Sequence, residues 1–555
     1  MRPPTLRALC AAAICSVFLI AIGNAGAQAP SQVSPGPTPK ARCGPGSKPE
    51  TGMQGRVPPK EIASGRAAKG YTCNTKEIGH FGTRGGYKTE RFVDKAGNEC
   101  AFYDSTLLFP KDAAEAGQNL TGVYVLDMSD PTNPVKTETL VTPAMQSPHE
   151  SMELNTKRGL LAAVTANPVF YPGVLDVYDL NEDCRHPELK ASLPVGGLGH
   201  ESGFAPDGKT FYSASLSGNI LTAIDVTNPS TPIPMWTGEY ESHGLSVSDD
   251  GNRAYLAAQP GLIILDVSEI QARTPNPQVT EVATLTWPTV STPQITIPVT
   301  IKGHPYLIEM DEFSRDDWST GAARIIDIAD EKNPRVISNI KLEVNMTKTR
   351  EKISSDPGAG DSFVDGLQGY AGHYCEVPQR KDPGVVACTF ILSGLRLFDI
   401  RDPFHPREIA YFNGPAVPKD PGPEGGTGSG SNYAMSQPAF VPERGEIWYT
   451  DGNHGFSAVK VTNGVWPFDR KGGPKTNPAP GDQPAGTGSG SGSDDSGQAQ
   501  SSGSSGSDTE VLESAQQQTD DAVAPLTGAQ IGIFLLFAAA ALTSGGLLLI
   551  RRRSR

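Results

Sequence analysis

Gly261-Leu262-Ile263-Ile264-Leu265-Asp266-Val267 is the stretch whose reading decides the fold. Four aliphatic residues in a row, opened by Gly and closed by Asp, read as a short strand buried on both faces and stopped by a turn. The figure recurs at Gly122 to Asp127-Met128, Gly173 to Asp179-Leu180, Gly218 to Asp225-Val226, Gly321 to Asp327-Ile328 and Gly394 to Asp399-Ile400. A seventh copy, Gly455 to Lys460-Val461, has Lys where Asp is expected. Successive aspartates lie 52, 46, 41, 61 and 72 residues apart, and Lys460 follows 61 residues later. Each interval is long enough for one four-stranded sheet.

The flanks of the repeated run agree. Upstream stand apolar pairs split by turns, such as Ser202 to Ala205, Asp207-Gly208 and Thr210 to Ala214, or Leu245 to Val247, Asp250-Gly251 and Ala254 to Ala258. Downstream, Val135 to Leu140, Arg335 to Ile340 and Arg407 to Tyr411 read as outer strands. Seven four-stranded sheets cannot each bury two faces alone, but stacked radially they can, so the spacing predicts an all-β, seven-bladed β-propeller of antiparallel strands. The last unit has no outer strand of its own, whereas Lys76 to Phe81 has no preceding blade. The N-terminal strand is therefore expected to complete the final blade and close the ring, removing a free sheet edge.

Three copies run on into Asp130-Pro131-Thr132-Asn133-Pro134, Asn228-Pro229-Ser230-Thr231-Pro232 and Asp402-Pro403-Phe404-His405-Pro406. The full pattern resembles the LVIVD repeat of bacterial and archaeal surface proteins over roughly Tyr71 to Phe468. The resemblance implies a propeller with no fixed catalytic activity. Lys460, the missing Pro after Asp266 and the diverged copy at Asp179 to Pro187 depart from the pattern.

The two ends of the chain point to export of what lies between them. Arg2 and Arg7, an apolar run from Ala8 to Ile22 and Ala25-Gly26-Ala27 read as a signal peptide over 1–27. A Pro/Gly-rich arm over 28–70 precedes the propeller, 71–468. A Gly/Ser-rich tether spans 471–524, too poor in apolar residues to build a core. Residues 531–550 are uncharged and long enough to span a bilayer, and the arginines of 551–555 would stay cytoplasmic. Between them Ala524-Pro525-Leu526-Thr527-Gly528 resembles the Leu-Pro-x-Thr-Gly sorting signal of Gram-positive surface proteins, with Ala in place of Leu. Attachment to the cell wall by a sortase and retention by a transmembrane helix both stay open. The two ends hold six arginines and no acid, so what lies between carries −20 against −14 for all 555 residues. That charge argues against a nucleic-acid partner.

Cys10 and Cys15 leave with the signal peptide, and six cysteines remain for three disulfides in an oxidising compartment. Pro383-Gly384 between Cys375 and Cys388 reads as a hairpin turn and pairs them, while Cys43 with Cys73 would staple the arm. None has Cys-x-x-Cys spacing, which argues against a redox motif or zinc knuckle.

Of nine histidines, four precede an innermost strand: His149, His200, His243 and His373. Gln294 and Gln437 occupy that position in two other blades. The innermost strands of a propeller line its central channel, so these rings are expected to crowd one channel mouth. One reading is a metal site for Zn or Cu, with Glu150 or Glu201 completing the coordination or acting as general base. The other is structural, with each imidazole serving the hydrogen bonds between blades. His304 falls in a hairpin turn and belongs to neither. The acidic insertion Asp356 to Gly366 lacks calcium-loop spacing and reads as a solvated loop. The chain thus reads as an exported, surface-displayed binding or scaffold module for an extracellular protein, a glycan or a small ligand. The alternative is a metal-binding propeller enzyme, an oxidoreductase or hydrolase, with its site at the channel mouth.

Overall fold

Every copy of the repeated run is the third strand, counted from the axis, of a four-stranded antiparallel blade, and seven such blades form the ring, one of them extended by a fifth strand. The structure is a computed structural model describing residues 33, 36–105, 122–167, 170–215, 219–240, 242–258, 261–287, 291–314, 321–353, 356, 361–362, 367–416 and 432–468. The expected signal peptide, tether, sorting motif Ala524 to Gly528 and span 531–550 lie outside these. Among the described residues no helix is long and apolar enough to cross a membrane.

From inner to outer strand, blade 1 is β3 (Thr89–Val93), β4 (Glu99–Asp104), β5 (Val123–Asp127) and β6 (Val135–Leu140). Blade 2 is β7 (Glu153–Asn155), β8 (Leu160–Val164), β9 (Leu175–Asp179) and β10 (Glu188–Leu193). Blade 3 is β11 (Ser202–Phe204), β12 (Thr210–Ser215), β13 (Ile220–Asp225) and β14 (Ile233–Glu239). Blade 4 is β15 (Gly244–Val247), β16 (Arg253–Ala258), β17 (Gly261–Asp266) and β18 (Thr280–Thr286). Blade 5 is β19 (Ser291–Ile301), β20 (His304–Ser314), β21 (Ala323–Asp327) and β22 (Arg335–Ile340). A small ribbon, β23 (Asp361–Ser362) and β24 (Leu367–Gln368), precedes blade 6, which is β25 (Gly372–Glu376), β26 (Val385–Phe390), β27 (Gly394–Asp399) and β28 (Arg407–Asn413). Blade 7 is β29 (Ala439–Val441), β30 (Glu446–Asp451), β31 (Gly455–Val461) and, from the other end of the chain, β2 (Thr75–Phe81).

The expected closure therefore forms: β2 pairs antiparallel with β31, Thr75 opposite Val461 and Phe81 opposite Phe456. The preceding strand, β1 (Tyr71–Cys73), was not foreseen as part of a sheet; it adds a fifth strand to the outer edge of blade 6. The arm before it also packs on blade 6, where the fully buried Arg396 pairs with Glu408 at 3.0 Å and with Glu50 of the arm. Asp356 of the acidic insertion is taken up by Arg56 of the arm at 2.6 Å, not left to solvent.

Strand alternation supplies the packing between blades. In β4, Cys100 and Phe102 face blade 2, whereas Ala101 and Tyr103 face blade 7. The same division gives one apolar cluster at every junction, ending with Trp448 and Phe456 of blade 7 against blade 1. Three disulfides join Cys43 to Cys73, Cys100 to Cys184 and Cys375 to Cys388. The first ties the arm to β1, the third lies across the paired positions of β25 and β26, and the second staples blade 1 to blade 2.

Candidate metal centre

The short segments leading into the inner strands converge on the axis, and that convergence builds the site. His149 and His200 stand just before β7 and β11, His243 just before β15, and His373 within β25. Four blades thus deliver one imidazole each to Glu150, which is itself almost wholly buried. Glu150 Oε2 lies 2.8 Å from His200 Nε2 and 3.5 Å from His243 Nε2, and Oε1 lies 3.1 Å from His373 Nε2. His149 Nδ1 is 4.0 Å from Oε1. The Nε2 atoms of His200 and His243 approach to 2.6 Å, leaving room for a single proton between them.

Two rings are oriented by the protein backbone. His243 Nδ1 is 3.0 Å from the Pro293 carbonyl, and His373 Nδ1 is 2.7 Å from the Met435 carbonyl. A carbonyl oxygen only accepts, so both δ nitrogens carry the hydrogen and both ε nitrogens face the centre. Because Pro293 lies in β19 of blade 5 and Met435 leads into blade 7, these bonds also tie neighbouring blades together. The structural role read from the sequence thus falls to the δ nitrogens, while the ε nitrogens face the carboxylates at the axis. His149 reaches the centre by a left-handed backbone, φ 52°, and its ring stacks on Tyr87 at 4.7 Å and meets His200 at 4.3 Å. Side-chain exposures of 21% for His149 and 17% for His200, against 0% for His373, put the open side of the cluster at these two rings.

Two residues at the axis were not foreseen. Glu312, near the end of the long strand β20, lies 3.4 Å from His373 Nε2 and 3.9 Å from His243 Nε2. Blade 5 brings no histidine to the axis and supplies this carboxylate instead. Lys88 stands immediately before β3, at the blade-1 counterpart of Glu201. Its ammonium is fully buried and donates to Glu201 Oε1 and Gln437 Oε1, each at 2.8 Å, and to Glu153 Oε1 at 3.0 Å. Glu201 differs from its expected place: one oxygen accepts from Lys88 and the other from Tyr374 Oη at 3.1 Å. It belongs to this polar plug beneath the imidazoles, and Glu312 stands in the carboxylate position beside Glu150. Gln294 joins the plug through Tyr374 Oη, 3.1 Å away.

The charges follow from these contacts. Burial opposes ionisation of Glu150, but His200, His243 and His373 outweigh it and hold the carboxyl well below its usual range. Burial likewise depresses His373, yet Glu150 and Glu312 win and hold it near 10. His243 is raised in the same way. His149 is pulled down to about 3 by burial and then by His200, so it is neutral with a free lone pair.

No protein-family model matches the chain, and no curated protein matches it. Among solved structures, the Kuenenia stuttgartiensis hydrazine synthase is 12% identical with a TM-score of 0.43, over 69% of this chain and 97% of that one. The periplasmic gluconolactonase of Pseudomonas aeruginosa is 12% identical with a TM-score of 0.41, over 60% and 85%. A functionally unknown protein from Desulfotomaculum acetoxidans is 11% identical with a TM-score of 0.39, over 59% and 84%.

Proposed function

We propose that this chain is an exported metal-binding propeller of the LVIVD type, held at the cell surface by its C-terminal anchor. Its transition-metal centre, for Zn or Cu, is held by His149, His200, His243 and His373 with Glu150 and Glu312. The observation that carries the reading is the pair of backbone-locked imidazoles, His243 and His373, whose ε nitrogens converge with His200 on one carboxylate. A backbone carbonyl on Nδ1 fixes the tautomer a metal-ligating histidine needs. Imidazole with carboxylate suits Zn and Cu. A cation there also relieves the 2.6 Å contact between His200 and His243. The three disulfides support export, and the exposed side of His149 and His200 leaves a direction from which a small ligand reaches the metal.

Metal content decides the matter. The full chain, matured in an oxidising compartment and loaded separately with Zn²⁺ and Cu²⁺, is expected to retain one equivalent at the axis, and Glu150→Gln and His243→Ala are each expected to lose it. A native chain that retains neither ion, or variants that retain as much as the native chain, would overturn the centre.

A further inference from the structure

The ring is closed by a strand that arrives from the far end of the chain, and a second set of ligand atoms sits on that seam. In a regular strand, residues three apart face opposite sides. In β2 the pairing slips between Glu77, opposite Val459, and Gly79, opposite Ala458, so that Ile78 is an extra, bulged residue. The bulge brings Glu77 and His80 to the same side. A third group comes from the partner hairpin: His454 lies in the turn between β30 and β31. Glu77 Oε1 lies 3.3 Å from His80 Nδ1 and 3.5 Å from His454 Nε2, and the two imidazole rings are 4.3 Å apart. Ser457 Oγ donates to the same carboxylate oxygen at 2.8 Å and orients it. His454 Nε2 is buried and makes no hydrogen bond among the described residues.

We propose that Glu77, His80 and His454 form a second metal site, for Zn²⁺, that clasps the ring shut. Two histidines and a glutamate are a zinc ligand set, with water completing four-coordination. His80, 37% exposed, marks the side on which that water enters. One ligand pair belongs to β2 and the other ligand to the C-terminal hairpin, so the ion links residues some 370 positions apart in sequence at the one junction of the ring with no covalent continuity. Binding therefore adds its free energy to ring closure and to no other blade. The site shares no residue with the axial centre.

The test is a zinc titration of the chelator-stripped full chain, read by stoichiometry and by amide exchange of residues 75–81. Run on a His200→Ala/His243→Ala background, it is blind to the axial centre. One equivalent is expected to bind there, slowing exchange across β2 at least tenfold, and His80→Ala or Glu77→Gln is expected to abolish both effects. His80 is exposed enough that its removal leaves the fold intact. The proposal is overturned if that background takes up no zinc, if β2 exchanges at the same rate with and without the ion, or if His80→Ala binds zinc as before. A native chain that takes up no axial zinc yet shows the β2 effect would instead count against the centre at the channel mouth alone.

Discussion

The aspartate that closes the repeated run has a local task. In six blades its Oδ1 accepts the backbone N–H two residues on, from Ser129 to Asp127, Asn181 to Asp179, Thr227 to Asp225, Ser268 to Asp266, Ala329 to Asp327 and Arg401 to Asp399, at 2.8–3.1 Å. These Asx turns end the third strand and turn the chain toward the fourth. In blade 7 no fourth strand follows in sequence among the described residues; Lys460 instead donates to the Arg444 carbonyl, and β2 comes from the N-terminal side. At the axis, burial pushes Glu376 up to about 7, although Val377 N–H donates to it. A carboxyl whose folded value lies above its unfolded one contributes stability that is full below the unfolded value, ~4.3, and lost as pH rises through the folded value. Glu376→Gln is therefore expected to gain on the native chain steadily from about pH 4 to about pH 7, and no further above it. Parallel urea titrations across that range would show it, and a pH-independent difference would refute it.

The outer strands carry a feature that no sequence pattern announces. All seven are bulged at the same register, one and two residues before the repeat's Asp or Lys on the third strand: Thr137, Lys190, Met235, Val282, Ile337, Ile409 and Ile78 are the extra residues. The N-terminal β2 thus reproduces the outer strand of the other blades residue for residue. Its Gly79 also presses on blade 1, where an added Cβ would lie 1.9 Å from the Pro131 carbonyl oxygen. Removing residues through 85 would open the edge of β31 and withdraw Ile78 and Phe81 from the cluster between blades 7 and 1. The lost burial alone is expected to lower unfolding free energy by roughly 3 kcal/mol. The bared edge is expected to promote self-association, visible by light scattering. Unchanged stability and a monodisperse monomer would show that β2 does not hold the ring.

Across the whole molecule, the apolar junctions between blades are matched by one ionic joint at the centre. Lys88 reaches from blade 1 to carboxylates of blades 2 and 3 and to Gln437 ahead of blade 7. Burial alone would depress its ammonium, but Glu153 and Glu201 overcome this and hold it charged. Taking away one member of a buried charged set leaves the others unpaired, so Lys88→Met is expected to cost about 3–5 kcal/mol in chemical denaturation. Glu201→Gln in the same chain should recover part of that loss. Additive losses in the double variant would mean that the two residues do not act on each other.

Sequence alone determined the all-β class, the repeat, the seven sheets and the strand that closes them, because strand alternation and turn residues act over a few neighbours and repeat at every blade. It also brought His149, His200, His243 and His373 to one position in their blades, since register within a repeat survives the variable loops between strands. Tertiary structure alone decided which groups share the axis. Glu312 comes from a second strand and Lys88 from a blade whose inner strand has no histidine, so neither repeats a pattern. Glu201 is one residue from His200 in sequence yet accepts from Lys88, whose reach across the channel depends on how the blades close. The pairing of Cys100 with Cys184 and the meeting of Glu77 with His454 have the same cause: they join parts of the chain that only the finished ring makes neighbours.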